Sequence, residues 1–338
     1  MPAPHQHRLL PSLGRRLVTA SLLAAGMALA IPSGPTSAQT DYPAKPVRII
    51  VPFGPGGLAD ITMRLAGEKL SAMLGQQFVV ENHPGAGGVA AANELLNAEP
   101  DGHSLIVMSN GTTIAVSLFE SLGYDPQAQF APISTLAWFD LGLFVGAEST
   151  VQTLDDFLAY AKDNPGAVNI GTVNPGSTQN LAAEYFRSVT GIDVNIIPYR
   201  TSPDILAALI RGELDLAFES PTAFSGALEG KQVRTIATTG SERNPALAEV
   251  PTVQEAGVDG YEVSGWNALY TLAGVPEPVI ATLHDAIAEV AAMPEIQEKF
   301  KELAIRAQPL TPEEMAARFE QDREQWAGVI ESAGIEKR

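Results

Sequence analysis

Two short turns combine the residue types and the spacing that can bind an anion. The first, residues 53–60, follows a buried apolar strand and contains three glycines before Asp60. Glycine lets the backbone approach a ligand closely, and the helix that begins here offers free N–H groups and the positive end of its dipole. The spacing matches neither the dinucleotide-binding fingerprint nor a P-loop. The alternative is a plain tight turn in which Asp60 stabilises the start of the helix.

The second turn, residues 171–180, joins another expected strand to another expected helix. It offers hydroxyl and amide groups that form hydrogen bonds, with nothing beside them to activate a nucleophile. Ser177 or Thr178 is also expected to cap the helix that follows, and a cap and a ligand contact can share one turn. The residues that carry this interpretation are Thr172, Asn174, Ser177, Thr178 and Asn180.

Polar residues follow three further strands. Asn110 is one, and Arg200 could pair with a carboxylate or form an ordinary exposed salt bridge. Glu219 would repel an anionic ligand unless it binds water, a hydroxyl or an amino group, so we expect it to influence specificity. Ser202 and Ser220 each precede a proline and are interpreted as helix caps.

The chain shows no catalytic set. Three histidines follow residue 40, His83, His103 and His284, and their spacing is not that of metal ligands. No G-x-S-x-G nucleophile elbow is present. We therefore expect no metal and no cofactor. Trp138 and Trp266 lie in long extended segments, where they either line a cleft or pack in a hinge.

Composition narrows the class of protein. The 338 residues are 45% hydrophobic, enough for real cores, and their number suggests two domains. A net charge of −18 argues against nucleic acid as a partner, because phosphate backbones are bound by clustered lysine and arginine. The absence of cysteine excludes disulfides, thiolate metal sites and cysteine nucleophiles.

The N-terminus has the layout of a secretory signal peptide. Three arginines precede an uncharged run, residues 17–31, and small residues follow up to Ala38. The run is shorter than the roughly 20 residues that span a bilayer, which disfavours a membrane anchor. We expect cleavage after Ala38, so that residues 1–38 are removed and the protein reaches the periplasm. Both the general and the twin-arginine route remain open.

Alternating strand and helix patterns predict an α/β fold with mostly parallel sheets. The alternation becomes irregular after a strand at residues 104–108 and resumes at Thr153. Two extended segments, residues 137–145 and 261–272, connect the two regular series and predict two lobes, a hinge and a cleft. The predicted first lobe is discontinuous. The expected division is residues 39–144 plus 263–338 for the first lobe and residues 145–262 for the second.

Several short segments of distinctive sequence follow one another, in a characteristic order, along the chain after the expected signal peptide. They are residues 42–48, residues 51–57 with Asp60, and residues 80–88, 100–102, 198–200, 250–257 and 322–335. Each is modest alone, and together they are highly specific. The chain thereby resembles the periplasmic receptors of tripartite tricarboxylate transporters, the Bug/TctC-type solute-binding proteins.

This resemblance implies two Rossmann-like lobes, of the type II periplasmic-binding-protein kind, that close on a carboxylate. In this family the first glycine-rich turn and the facing turn of the second lobe hold the carboxylate, partly through water. Carried over to this sequence, the binding residues are Phe53, Gly56, Gly57, Asp60, Thr172, Asn174, Ser177, Thr178 and Asn180.

The sequence departs from the family pattern at three places. Asn180 stands where many relatives have histidine, and Glu219 with Ser220 stands where they have an Asp-Asn pair. Arg200 and Thr201 replace a common Lys-Gly pair. We still expect the two turns to bind a carboxylate group despite these changes, but the resemblance does not identify which carboxylate is the ligand.

We therefore expect a monomeric, non-enzymatic receptor that hands a small organic carboxylate to the membrane components of a tripartite tricarboxylate transporter. One alternative is a ligand sensor that uses the same site to feed a signalling partner. The other is an α/β hydrolase or lyase, for which Glu219 is the only defensible general base.

Overall fold

The computed structural model describes residues 42–337, so the signal peptide expected at residues 1–38 lies outside the described residues. Strands and helices alternate through this part of the chain. The strands are β1 (Val47–Val51), β2 (Phe78–Asn82), β3 (Ser104–Ser109), β4 (Phe130–Asp140), β5 (Gly142–Gly146), β6 (Val168–Val173), β7 (Val194–Tyr199), β8 (Leu216–Glu219), β9 (Val233–Thr238), β10 (Ser264–Leu272) and β11 (Ile305–Ala307).

The helices complete the alternation. They are α1 (Leu58–Leu74), α2 (Val89–Leu96), α3 (Asn110–Leu118), α4 (Pro126–Gln129), α5 (Leu154–Asp163), α6 (Thr178–Thr190), α7 (Ser202–Ile210), α8 (Ser225–Glu229), α9 (Glu277–Ala292), α10 (Pro294–Glu302) and α11 (Pro312–Ser332). None of the helices in residues 42–337 is both long and apolar enough to cross a bilayer.

The strands form two sheets, which we call the first and the second lobe together with the helices packed on them. The first sheet has the order β11-β4-β10-β3-β1-β2 and the second the order β7-β6-β8-β5-β9. This confirms the predicted α/β fold. The expectation of mostly parallel sheets is wrong, because β4, β5 and β10 pair antiparallel with their neighbours. Strands that pass between lobes need not follow the parallel β-α-β rule.

Within residues 42–337 the chain crosses between the sheets twice. Only Leu141 separates β4 in the first sheet from β5 in the second, and residues 239–263 lead back from β9 to β10. The two crossings are tied together by the buried hydroxyl of Thr239. This hydroxyl accepts a hydrogen bond from the Leu141 N–H (2.9 Å) and donates one to the Val263 carbonyl (2.6 Å).

Local capping explains where several helices begin. Thr153 and Thr311 form capping boxes with Asp156 and Glu314, which a threonine followed three residues later by an acidic residue predicts. Helix α3 was not predicted, although Ser109 caps it through a box with Thr112. A threonine in place of the usual glutamate or glutamine makes this box hard to recognise from sequence.

The last helix contacts both lobes. Trp138 and Trp266 are buried in the hydrophobic core of the first lobe and do not line the cleft, so they pack rather than contact a ligand. Trp326 of α11 instead belongs to a core cluster of the second lobe, together with Leu118 of α3. The second lobe thus buries side chains from outside residues 145–262, and the division of the chain at these residues stays a prediction.

Candidate functional site

Three helix N-termini meet at a cleft of about 260 Å³ between the lobes. Helices α1 and α3 begin at the first lobe, and α6 begins at the second. Of the residues predicted from sequence, the cleft brings together Phe53, Gly57, Asn110 and Thr178. The full lining among the described residues is Phe53, Gly57, Leu58, Ala59, Ser109, Asn110, Gly111, Phe139, Thr178 and Asn267.

The N-terminus of α1 is left open towards the cleft. Gly57 is its N-cap residue, and no side chain caps the helix there. The first N–H groups of an α-helix have no partner within the helix, so a ligand can take the place of a cap. Gly56, the residue before Gly57, has a positive φ of 79°, a conformation that favours glycine.

Asp60 is not part of the cleft lining and organises the turn. Its buried carboxylate accepts hydrogen bonds from the Gly56 N–H (2.9 Å), the Arg64 guanidinium (3.0 Å) and the Asn82 amide (2.9 Å). Burial acts to raise the pKa of Asp60, but these bonds and the charge of Arg64 outweigh it and leave the pKa below its ordinary value. Asp60 therefore stays ionised and fixes the shape of the glycine-rich turn.

The N-terminus of α3 provides one hydrogen bond between the lobes at the cleft. The amide of Asn110, a buried residue, donates a hydrogen bond of 2.9 Å to the hydroxyl of Thr178, the first residue of α6. The two helix starts are therefore held side by side across the cleft.

The remaining polar residues of the second turn bond among themselves. Ser177 caps α6 by accepting from the Asn180 N–H, as predicted. The Asn180 side chain accepts from the Gly176 N–H and donates to Thr172. Thr172, Ser177 and Asn180 thus shape the turn from within and do not line the cleft. Asn174 is exposed. The roles of all four in ligand binding stay predictions.

Glu219 lies at the centre of a small buried network. Its carboxylate accepts hydrogen bonds from Gln179 Nε2 (2.9 Å), Ser202 Oγ (2.7 Å) and the Ser220 N–H (2.7 Å). The interpretation of Ser202 as a cap is wrong, because Thr201 caps α7 and thereby leaves the Ser202 hydroxyl free to reach Glu219. Ser220 precedes a short 3₁₀ turn but makes no side-chain cap bond.

Arg200 is exposed after β7 and makes no hydrogen bond or ion pair with any residue that the structure describes. It is not part of the cleft lining. Its predicted pairing with a ligand carboxylate stays a prediction.

Two residues of the cleft lie on strands that the sequence did not connect with the site. Phe139, on β4, presents a half-buried ring, and Asn267, on β10, is almost fully buried. The amide nitrogen of Asn267 has no hydrogen-bond partner within the described residues. The only sequence signal for Asn267 is a side-chain amide in the middle of a mostly apolar extended segment.

The site offers hydrogen-bond donors rather than catalytic or metal-binding groups. Within residues 42–337 no three histidine, aspartate or glutamate side chains gather as a metal site would require. What the cleft provides is the positive ends of helices, free N–H groups and amides, which suit an anion.

Two α/β lobes, two crossings of the chain and a cleft of donors between the lobes define the class of a two-lobed ligand-binding protein. Comparison with known proteins identifies the family. The family model described as "Tripartite tricarboxylate transporter family receptor" matches residues 62–335. The chain belongs to this family, whose members are periplasmic binding proteins and not enzymes.

Individual relatives agree with this assignment. The chain is 31% identical over 324 residues to a UPF0065 protein of Pseudomonas sp. strain P51, with 95% of each chain covered. It is 30% identical over 329 residues to protein BugT of Bordetella pertussis, with 97% of this chain and 98% of that one covered.

Solved structures show the same fold. An R. palustris protein solved with adipate is 30% identical, with a TM-score of 0.73 over 88% of this chain and 100% of its own. MatC from Rhodopseudomonas palustris, solved with bound malate, is 29% identical, with a TM-score of 0.68 over 86% of this chain and 100% of its own.

Proposed function

We propose that this protein captures a small organic carboxylate in the cleft between its lobes and delivers it to the membrane components of a tripartite tricarboxylate transporter. The observation that carries the proposal is the convergence of three helix N-termini on one cleft, with that of α1 left uncapped. Each helix end favours a negative charge, and the uncapped start of α1 has N–H groups from which a carboxylate can accept hydrogen bonds.

Three further features belong to the same proposal. The protein is exported to the periplasm by a signal peptide that is cleaved after Ala38, it acts as a monomer, and its lobes close around the ligand. The relatives solved with adipate and with malate support a carboxylate as the ligand. The bond between Asn110 and Thr178 supports closure, because it joins residues of the two lobes across the cleft.

Calorimetry with matched acids and amides tests the proposed ligand class. We expect heat of binding from one or more carboxylates among short aliphatic, hydroxylated, dicarboxylic and aromatic acids. The corresponding neutral amides should not bind, because they lack the charge that the helix ends favour. Absence of binding throughout the set, or equal binding of acids and amides, would refute the proposal.

Transport requires a second experiment. A deletion of the gene should abolish uptake of the carboxylate identified by calorimetry, and the full-length protein should restore it. Normal uptake in the deletion strain would argue against delivery to a transporter while leaving ligand capture intact.

A further inference from the structure

The cleft holds an unusual polar group. Asn267 lies on the central strand β10, directly opposite Ser109, the residue that caps α3. Only 2% of Asn267 is exposed, and its amide nitrogen has no partner within the described residues. An unsatisfied buried donor costs free energy, so a donor kept in this state at a cleft is most simply explained by a ligand that accepts from it.

The donors around Asn267 form one group. Ser109 places the start of α3 beside Asn267, and the uncapped start of α1 lines the same cleft. These donors suit one carboxylate, whose two oxygens can accept several hydrogen bonds. Asn110 and Thr178 are already hydrogen-bonded to each other, so they have fewer hydrogen bonds left to form with a second carboxylate.

The rest of the lining is apolar. Phe53 and Phe139 contribute aromatic rings, and Leu58 and Ala59 add aliphatic surface. No lysine, arginine, aspartate or glutamate lines the cleft among the described residues. Arg200 lies outside this lining, and the carboxylate of Glu219 is bonded within its own lobe.

A second carboxylate would therefore be poorly accommodated. An ionised group that leaves water without a charged partner or several hydrogen bonds loses much of its solvation free energy. An apolar ligand body, by contrast, gains by leaving water for the aromatic walls. The volume of about 260 Å³ lies below the usual range for drug-sized ligands, roughly 300–1,000 Å³, and therefore favours a small molecule.

We infer that the cleft selects acids with a single carboxylate and a short apolar body, and that the Asn267 amide donates to that carboxylate. The inference deepens the proposed function and rests on it. It also opposes the role predicted for Arg200, since a ligand of this class presents no second carboxylate to that residue.

The decisive experiment compares acids of equal carbon skeleton with one and with two carboxylates. Calorimetry on the purified full chain would use hexanoate against adipate and benzoate against terephthalate. We expect the monocarboxylate of at least one pair to bind about tenfold or more tightly than its partner. Equal or tighter binding of the dicarboxylates in both pairs would overturn the inference and leave the proposed function standing. If none of the four acids binds, the inference also fails, and the wider set of acids decides the proposed function.

Variants of Asn267 test its role separately. Asn267→Leu keeps the number and branching of the side-chain heavy atoms but removes the donor, and we expect it to weaken binding of the preferred monocarboxylate about tenfold or more. Asn267→Asp should weaken this binding further, because the negative charge of the aspartate would meet that of the carboxylate in the cleft. The control is Thr271→Val on the same strand, which removes a buried hydroxyl that donates to the Ser104 carbonyl and lies outside the cleft lining. It should leave affinity unchanged.

The outcomes separate specificity from folding. Thermal unfolding would establish that each variant is folded before its affinity is compared. Parent-like affinity in Asn267→Leu would overturn the role of the amide. A loss of affinity in Arg200→Ala, together with tight binding of adipate, would overturn the single-carboxylate class and support the pairing of Arg200 with a ligand.

Discussion

Gly56 and Gly57 are neighbours, but only the backbone conformation of Gly56 requires glycine. Gly56 adopts a φ of 79°, so a side chain there would strain the turn. Gly57 has a φ of −78°, which any residue can adopt, and a Cβ there would meet only the Gly54 carbonyl, at 3.6 Å. Glycine at position 57 is therefore not required for folding, and its lack of a side chain keeps the cleft open at the start of α1.

Gly57→Val should separate ligand binding from stability. We expect affinity for the carboxylate to fall at least tenfold, because the added side chain occupies the approach to the α1 N–H groups. The free energy of unfolding should change by about 1 kcal/mol or less. Calorimetry and urea unfolding measure the two quantities. Gly54→Val is the matched control, since a Cβ at Gly54 meets nothing within 4 Å and Gly54 does not line the cleft.

Asp60 gives a prediction about pH. Because its pKa is lowered in the folded protein, its contribution to stability is complete above the unfolded pKa of about 4 and is lost as the pH falls through the folded value. Asp60→Asn should lower the free energy of unfolding at pH 7 by about 1–3 kcal/mol, through weakened bonds to Gly56 and Arg64.

This penalty should shrink as the pH is lowered from 5 to 3, which urea unfolding at each pH would measure. Asp285→Asn is the control, because Asp285 is exposed on α9 and its side chain makes no hydrogen bond or ion pair with any residue that the structure describes. A penalty for Asp60→Asn that stays constant down to pH 3 would show that the charge of this carboxylate is not what stabilises the turn.

At the scale of elements, strand β10 supports the cleft through a glycine. The ring of Phe139 on β4 lies over Gly265 on β10, so closely that a Cβ at Gly265 would overlap the ring. The pairing of these two strands therefore sets where an aromatic wall of the cleft stands. A bulkier residue at position 265 must displace that wall.

Gly265→Ala should thus reduce both stability and affinity. Overpacking of this kind costs about 1–3 kcal/mol, and the displaced Phe139 ring should weaken carboxylate binding severalfold. Gly142→Ala is the matched control, because its Cβ would press on the Phe144 ring in the second lobe, away from the cleft lining. Gly142→Ala should lower the free energy of unfolding by a similar amount without weakening ligand binding. Equal loss of affinity in both variants would exclude a local effect of Phe139.

The elements that the sequence predicted correctly are those with local signals. The glycine-rich turn before α1, the Ser177 cap of α6 and the Thr311 box of α11 each combine a few adjacent residues with known geometry. Helix α3 was missed because its first turns contain Thr-Thr-Ile, which has low helix propensity, and because its box uses threonine. Tertiary contacts with α11 stabilise it instead.

The missed site residues depend on pairing between distant strands. Asn267 reaches the cleft only because β10 lies beside β3, which brings it opposite Ser109. The mixed direction of the sheets was missed for the same reason, since the crossings at Leu141 and at residues 239–263 reverse the strand direction. Neither feature is encoded in a short stretch of sequence.

At the scale of the whole molecule, the charge and the expected ligand have the same sign. The chain carries a net charge of −18, whereas the cleft contributes only helix ends and neutral donors. Helix ends act within about one turn, and the net charge acts over the longer screening distance of the solution. The molecule should therefore repel the carboxylate at a distance and attract it only at the cleft.

Ionic strength should separate these two effects. Raising salt from about 10 to 150 mM shortens the screening length from about 30 Å to about 8 Å. The association rate constant for a carboxylate should then rise severalfold, because long-range repulsion is screened first. The dissociation rate constant should change little, because the contacts of the bound state are shielded from salt. Stopped-flow tryptophan fluorescence would measure both constants. An association rate constant that falls with salt would mean that the helix ends outweigh the net charge even at long range.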